Sequence, residues 1–196
     1  MRRAATLLLF VAGCVVVPDP GATPPGDGGL LPPPGYGTLR QDDITVALRS
    51  GDLQIKATPL AESIIRVTAP DTERRLRGLA ESRHDEARRV GGSSLFLVSF
   101  FSDNPDVAFV PDELQLLSRN VRIRPAAILP VTPTWGQRRL RQRETEMAVY
   151  VFPGTVDLES DLAVVYGMEE NWSWNAILPR VQAERARARA RAGSGR

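Results

Sequence analysis

The side chains able to do chemistry are few, and their spacing rarely brings them together. His84 is the single histidine, followed by Asp85 and Glu86. An imidazole and two carboxylates could hold a cation or move a proton if they converged. Adjacent residues of a helix point in different directions, and Arg83, Arg88 and Arg89 crowd the stretch with positive charge. A solvated helix face is the expectation there. Glu169-Glu170 offers paired carboxylates, but a glycosidase pair is defined by its separation in space. Adjacent acids after Tyr166-Gly167 read as solvated. Ser93-Ser94 lacks the Gly-x-Ser-x-Gly setting of a nucleophile elbow, and no Gly-x-Gly-x-x-Gly or phosphate loop occurs. The chain reads as non-enzymatic, with no catalytic residue, metal or cofactor expected.

More binding potential lies between two strand-like runs, where Trp135 is followed by Arg138, Arg139, Arg141 and Arg143. An indole beside guanidinium groups suits phosphate, carboxylate or sugar rings. The competing reading is a long connection whose Trp packs on the body and whose Arg side chains face water. Trp172-Ser173-Trp174 would set both indoles on one side of an extended chain, for core packing or a rim contact rather than a sugar platform. Residues 180–196 form an Arg/Ala-rich tail with six Arg and one Glu. Both residue types favour helix. An Arg at every second position is expected to circle that helix and leave no apolar face, giving a solvated helix or a disordered tail. Such a tail could meet anionic headgroups.

The net charge of +2 conceals an asymmetry. Between Thr38 and Pro179 there are 17 basic and 20 acidic residues, so the body is slightly acidic and the excess of Arg sits at the ends. Nucleic-acid-binding domains concentrate basic residues on the folded body, so no nucleic-acid partner is expected. Lys56 is the lone lysine. Cys14 is the lone cysteine, which excludes an internal disulfide and any Cys-based zinc site. A body built this way must hold together by its core.

That cysteine ends an apolar run. Arg2 and Arg3 precede Ala4 to Val17, and Pro18 stops the run. An apolar run of fourteen residues, Thr6 among them, falls short of the roughly 17–25 a spanning helix needs and fits a secretory h-region. Within it, Val11-Ala12-Gly13-Cys14 places a branched aliphatic and two small residues before cysteine. This resembles the lipobox of bacterial lipoproteins. The resemblance implies a signal peptide over residues 1–13, cleavage after Gly13, and a diacylated Cys14 anchored in membrane. It also implies the outer membrane, since Val15 rather than Asp follows the cysteine. Two acyl chains are what stable anchoring requires. The alternatives are an ordinary cleaved signal, or a short uncleaved anchor, with Cys14 as a small apolar residue. Residues 14–37 carry Pro24-Pro25-Gly26, Gly28-Gly29 and Pro32-Pro33-Pro34-Gly35, a composition that predicts a disordered spacer. An exported, anchored interaction or structural protein, with an envelope protein as partner, is one expectation. A module for lipopolysaccharide, peptidoglycan or phospholipid headgroups is the other.

Residues 38–179 read as a β-rich globular domain. Ile44–Leu48 and Leu53–Ala57 alternate around Ser50-Gly51-Asp52, a β-hairpin pattern. Thr68-Ala69-Pro70-Asp71 predicts a helix start with Thr68 as cap, Leu76, Leu79 and Ala80 mark its apolar face, and Gly91-Gly92 its end. Ser94–Phe101, Met147–Phe152 and Leu162–Tyr166 are apolar on both faces, as central strands are. Shorter runs lie at Val107–Pro111, Glu113–Leu117 and Asn120–Arg124. Several short strands with turns between them predict a mostly β fold, a β-sandwich with one or two helices, with α+β as the alternative. The pattern from Leu95 to Tyr166 is similar to bacterial immunoglobulin-like domains, which implies a sandwich and no particular activity.

Overall fold

The computed structural model describes residues 31–194. The expected signal peptide, Cys14 and most of the expected spacer therefore lie outside the described residues.

The chain is mostly β. Among the described residues there are eleven strands, in three antiparallel sheets, and three α-helices. The strands are β1 (Val46–Ser50), β2 (Leu53–Pro59), β3 (Gly92–Phe101), β4 (Val107–Ala108), β5 (Leu114–Ser118), β6 (Val121–Ile123), β7 (Ala127–Pro130), β8 (Arg139–Leu140), β9 (Thr145–Pro153), β10 (Leu162–Tyr166) and β11 (Glu169–Asn171). The helices are α1 (Glu62–Ile65), α2 (Pro70–Arg89) and α3 (Trp174–Ser194). One sheet runs β1-β2-β3-β9-β7, a second runs β11-β10-β5-β6, and β4 and β8 make a small ribbon.

The hairpin expected at the start forms. Val46 and Leu48 of β1, and Leu53, Ile55 and Ala57 of β2, are buried at alternate positions. Ser50 pairs with Leu53, leaving Gly51 and Asp52 as the loop. Gly51 takes φ +55°, which is why glycine sits first in this two-residue turn. The hairpin β5–β6 solves the same problem differently. Ser118 pairs with Val121, and Arg119 and Asn120 both take positive φ, the backbone of a type I′ turn.

The two larger sheets face each other as a β-sandwich. Alternation along β3 and β9 puts Phe96, Phe100, Tyr150 and Phe152 on the inner face, where Phe96 and Phe152 meet edge to face at 5.5 Å. Phe100 reaches across to Tyr166 of β10, ring centroids 5.7 Å apart. Two tyrosine hydroxyls pin the segment between the sheets: Tyr150 donates to the Pro111 carbonyl at 2.9 Å and Tyr166 accepts from the Val110 N–H at 2.8 Å. Burial raises the pKa of both hydroxyls, so each stays neutral. Asn171 of β11 donates to the Ala47 carbonyl of β1 at 2.9 Å, linking the edges of the two sheets.

The opposite face of β3 lies against α2, which buries Leu76 and Ala87, with Leu79 and Ala80 half-buried. The helix starts with Pro70 in its first turn, where a missing N–H costs nothing. Thr68 is not its cap. The residue before the helix is Ala69, whose side chain makes no cap bond, and Thr68, fully buried, donates to the Ile65 carbonyl at 2.7 Å. The hydroxyl closes α1 instead of opening α2. Val90 and Gly91 end the helix, Gly91 at φ +74°, the left-handed stop expected of glycine.

Two differences from the sequence reading concern the ends of the domain. The expected Arg/Ala tail is the continuation of α3, which begins at Trp174 and passes through Pro179. One face of it is buried, through Ile177, Val181, Glu184 and Ala188. The reason is angular. Residues two apart on a helix are about 200° apart, and residues four apart about 40°. Alternate arginines therefore fall on two flanks, Arg185 with Arg189 and Arg187 with Arg191, and a stripe between them remains free to pack. The last part of the expected spacer also belongs to the body. Gly35 donates its N–H to Glu73 at 2.7 Å, Arg66 bonds the Pro32 carbonyl at 3.2 Å, and Arg191 bonds the Tyr36 carbonyl. Gly37 lies so close to the Val67 backbone that a Cβ would fall 2.2 Å from it. Glycine and proline here serve a close backbone approach.

Candidate functional site

The Arg-bearing connection runs from β7 to β9. A short turn of helix at Trp135–Gln137 is followed by Arg138 at φ 52°. Arg139 and Leu140 then pair with Val107 and Ala108. Arg143, at φ 59°, donates its N–H to the Ser102 carbonyl at 2.8 Å, and Glu144 accepts the Arg141 N–H at 2.7 Å. Backbone bonds thus fix the loop at both ends.

Trp135 and the arginines separate. Trp135 is 7 % exposed and joins an inner aromatic cluster, 5.2 Å from Phe109 and 5.8 Å from Phe100 between ring centroids. It anchors the loop on the sandwich and offers no face to a ligand. Arg139 is bound to Asp106, Nε to carboxylate at 2.5 Å and guanidinium to carbonyl at 3.2 Å. That hydrogen bond, and then the arginine's charge, hold the Asp106 carboxyl below its ordinary range. Among the described residues, the side chains of Arg138, Arg141 and Arg143 are exposed and enter no ion pair. Beside them lies an open depression of about 350 Å³, lined in part by Asp106, Gln137, Arg139, Leu140, Arg141 and Gln142. Arg139 and Arg141 border it; Trp135, Arg138 and Arg143 do not. A cavity with a bound carboxylate, a paired Arg and one free Arg could hold a small anion or the rim of an acidic chain.

The other sequence candidates stay apart. His84 is exposed on α2, with Asp85 at 3.5 Å as its one acidic partner, and Glu86 faces Arg83 at 3.6 Å. Among the described residues no group of three or more His, Cys, Asp or Glu side chains could share a metal ion. Glu170 is paired with Arg122 at 2.7 Å. The hydroxyls of Ser93 and Ser94 both donate to the Gly154 carbonyl. Trp172 and Trp174 do not share a face, because α3 begins between them. Trp174 is fully buried, donating to the Leu158 carbonyl at 3.1 Å, while Trp172 is 39 % exposed. No helix of the described residues is long and apolar enough to cross a membrane.

Three buried carboxylates escaped the sequence reading. Glu73 accepts from Arg77 and from Gly35. Glu184 accepts from Thr38 and Arg191. Glu146, with no exposure, accepts from the hydroxyls of Thr132 and Thr134. Its position was readable, since Glu146 alternates with Ala148, Tyr150 and Phe152 on the inner face of β9. These groups hold the ends of the domain and the base of the Arg loop.

No protein-family model matches the chain, and no curated protein or solved structure is significantly similar to it.

Proposed function

We propose that this protein is a lipid-anchored component of a bacterial cell envelope, with a non-catalytic interaction or structural role. The observation that carries the reading is Val11-Ala12-Gly13-Cys14 behind Arg2, Arg3 and a short apolar run. Cys14 takes a diacylglyceryl group on its sulfur, cleavage after Gly13 makes it the new N-terminus, and the two chains supply the burial that stable anchoring needs. Export without a second cysteine suits a body held by a two-sheet core. Val15 after the cysteine favours the outer membrane over the inner one. An envelope protein is the partner this role implies.

The test is metabolic labelling with a fatty acid in a diderm host, comparing the full chain with Cys14→Ala. The reading requires label on the first and none on the second. Equal labelling of the two removes it.

A second reading makes the protein a module for anionic envelope material such as lipopolysaccharide, peptidoglycan or phospholipid headgroups. It is favoured by Arg138, Arg141 and Arg143, whose exposed side chains enter no ion pair among the described residues. Salt-sensitive binding of such material, weakened when these residues become Ala, would support it. Salt-insensitive capture of one envelope protein would support the first.

A further inference from the structure

We propose that the outward side of α3 from Arg180 onward rests on anionic phospholipid headgroups, beside the point where the tether leaves the body. The proposal rests on the anchored reading above and adds an orientation and a second contact to it.

Two observations meet at one place. The first is where the chain enters the body. Arg191 donates to the Tyr36 carbonyl through two nitrogens, at 3.0 and 2.6 Å. Thr38 bonds Glu184 at 2.8 Å. The N-terminal segment is therefore held against the C-terminal half of α3. A body hung from this point presents this helix to the surface that holds its anchor. Cys14 and Leu31, the first described residue, are 17 positions apart, a reach of at most about 60 Å even when fully extended. A contact made by the tethered body is then intramolecular, and its effective concentration is high.

The second observation is the sign of the surface. Over residues 180–194 the chain carries five Arg and one Glu. The Glu, Glu184, is 2 % exposed and turned inward. Arg187 and Arg180 have side chains 71 % and 58 % exposed, and Arg189 is exposed as well. The outer side of this stretch thus shows cations, alanines and Gln182, and the exposed acids that contact it, Asp43 and Glu159, lie at Arg180 and at Arg185 with Gln182, away from Arg187 and Arg189. Alanine keeps the arginines the tallest groups on the surface. Guanidinium planes match phosphate oxygens, and basic residues close to an anionic bilayer add attraction that falls off within a Debye length. The Arg loop between β7 and β9 is not part of this surface. It sits at the Gln54–Phe101–Thr145 end of the large sheet, whereas Gln41 meets β2 at Thr58.

The test uses the full, lipidated chain in vesicles of phosphatidylcholine alone or mixed with phosphatidylglycerol. Ala190→Cys, on the exposed side of α3, carries a polarity-sensitive fluorophore, the Cys14 sulfur being occupied by lipid. The expected result is a blue shift with phosphatidylglycerol that high salt reverses and phosphatidylcholine does not give. Arg187→Glu with Arg189→Glu should abolish it, and the milder Arg187→Gln with Arg189→Gln should weaken it while keeping the thermal midpoint. Equal emission in the two lipids, or a shift that survives charge reversal in folded protein, overturns the proposal. Failure of the anchoring reading shows separately, as equal fatty-acid labelling of wild type and Cys14→Ala.

Discussion

The Thr38 hydroxyl donates to Glu184 at 2.8 Å, joining the entry of the chain to its last helix across 146 positions of sequence. Glu184 also accepts from Arg191, and its side chain is 3 % exposed. Replacing it by Ala would remove the acceptor of two donors, Thr38 and Arg191, both of which water can still reach. Glu184→Ala is expected to lower stability by about 1–2 kcal/mol, and Glu184→Gln by less, because an acceptor remains. Urea unfolding measures both. A change within about 0.5 kcal/mol, the range of ordinary surface substitutions, would make the C-terminal helix a bystander.

Acid should weaken the same region. The Glu159 carboxyl is held below its ordinary pKa, first by its hydrogen bond from Arg185. The Asp157 carboxyl is lowered chiefly by the Glu159 backbone N–H. A group whose folded pKa is depressed binds its proton more readily when unfolded. Its stabilisation is complete above the unfolded pKa of about 4 and is lost as pH falls through the folded value. The urea midpoint is expected to hold from neutrality to about pH 5 and then drop. Arg185→Met should make that acid limb shallower, since it removes the largest cause of the Glu159 shift. An unchanged slope would assign the acid sensitivity elsewhere.

The indoles divide by environment. Trp174 and Trp135 are 0 % and 7 % exposed, and Trp172 is 39 % exposed. Iodide should quench a single tryptophan component, and Trp172→Phe should remove it. Trp135→Ala is expected to cost about 3–5 kcal/mol, as large aromatic deletions from cores do. A ligand-facing indole would instead be quenched and cheap to delete.

These outcomes bear on what the sequence could tell. The strands of the sandwich were legible because β1, β2, β3, β9 and β10 each carry a period of two or an unbroken apolar run. The helix α2 was legible from Leu76, Leu79 and Ala80, although its cap was not, because the Thr68 hydroxyl turns back to donate to the Ile65 carbonyl. The C-terminal helix was hidden by its own arginines. Composition there reads as solvated, and only the 40° spacing of Arg185 with Arg189 and of Arg187 with Arg191 shows that a packing stripe survives. Tyr36 and Gly35 were hidden for a similar reason: Pro and Gly report backbone geometry, and a spacer and a tightly packed entry segment demand the same residues. For the candidate site, the arginines were legible and the fate of Trp135 was not. Its burial depends on Phe100, Phe109 and Tyr150, which only the fold brings near.

The Arg loop permits a test in which stability and binding move in opposite directions. Arg138 and Arg143 hold φ of 52° and 59°, a region that costs an L-residue roughly 1–2 kcal/mol and glycine almost nothing. Glycine gives back about 0.5–1 kcal/mol through its freer unfolded chain. Neither arginine side chain has an ion pair to lose among the described residues, so Arg138→Gly and Arg143→Gly are each expected to raise stability by about 0.5–1 kcal/mol. Thermal and urea unfolding check this. If the loop serves the anionic-material reading, the doubly substituted protein should also lose salt-sensitive binding to lipopolysaccharide, because two of the loop's three arginines that enter no ion pair among the described residues are gone. Greater stability with undiminished binding would clear the loop of that role. Lower stability would mean that the two arginines make contacts in solution that their exposed side chains do not make here.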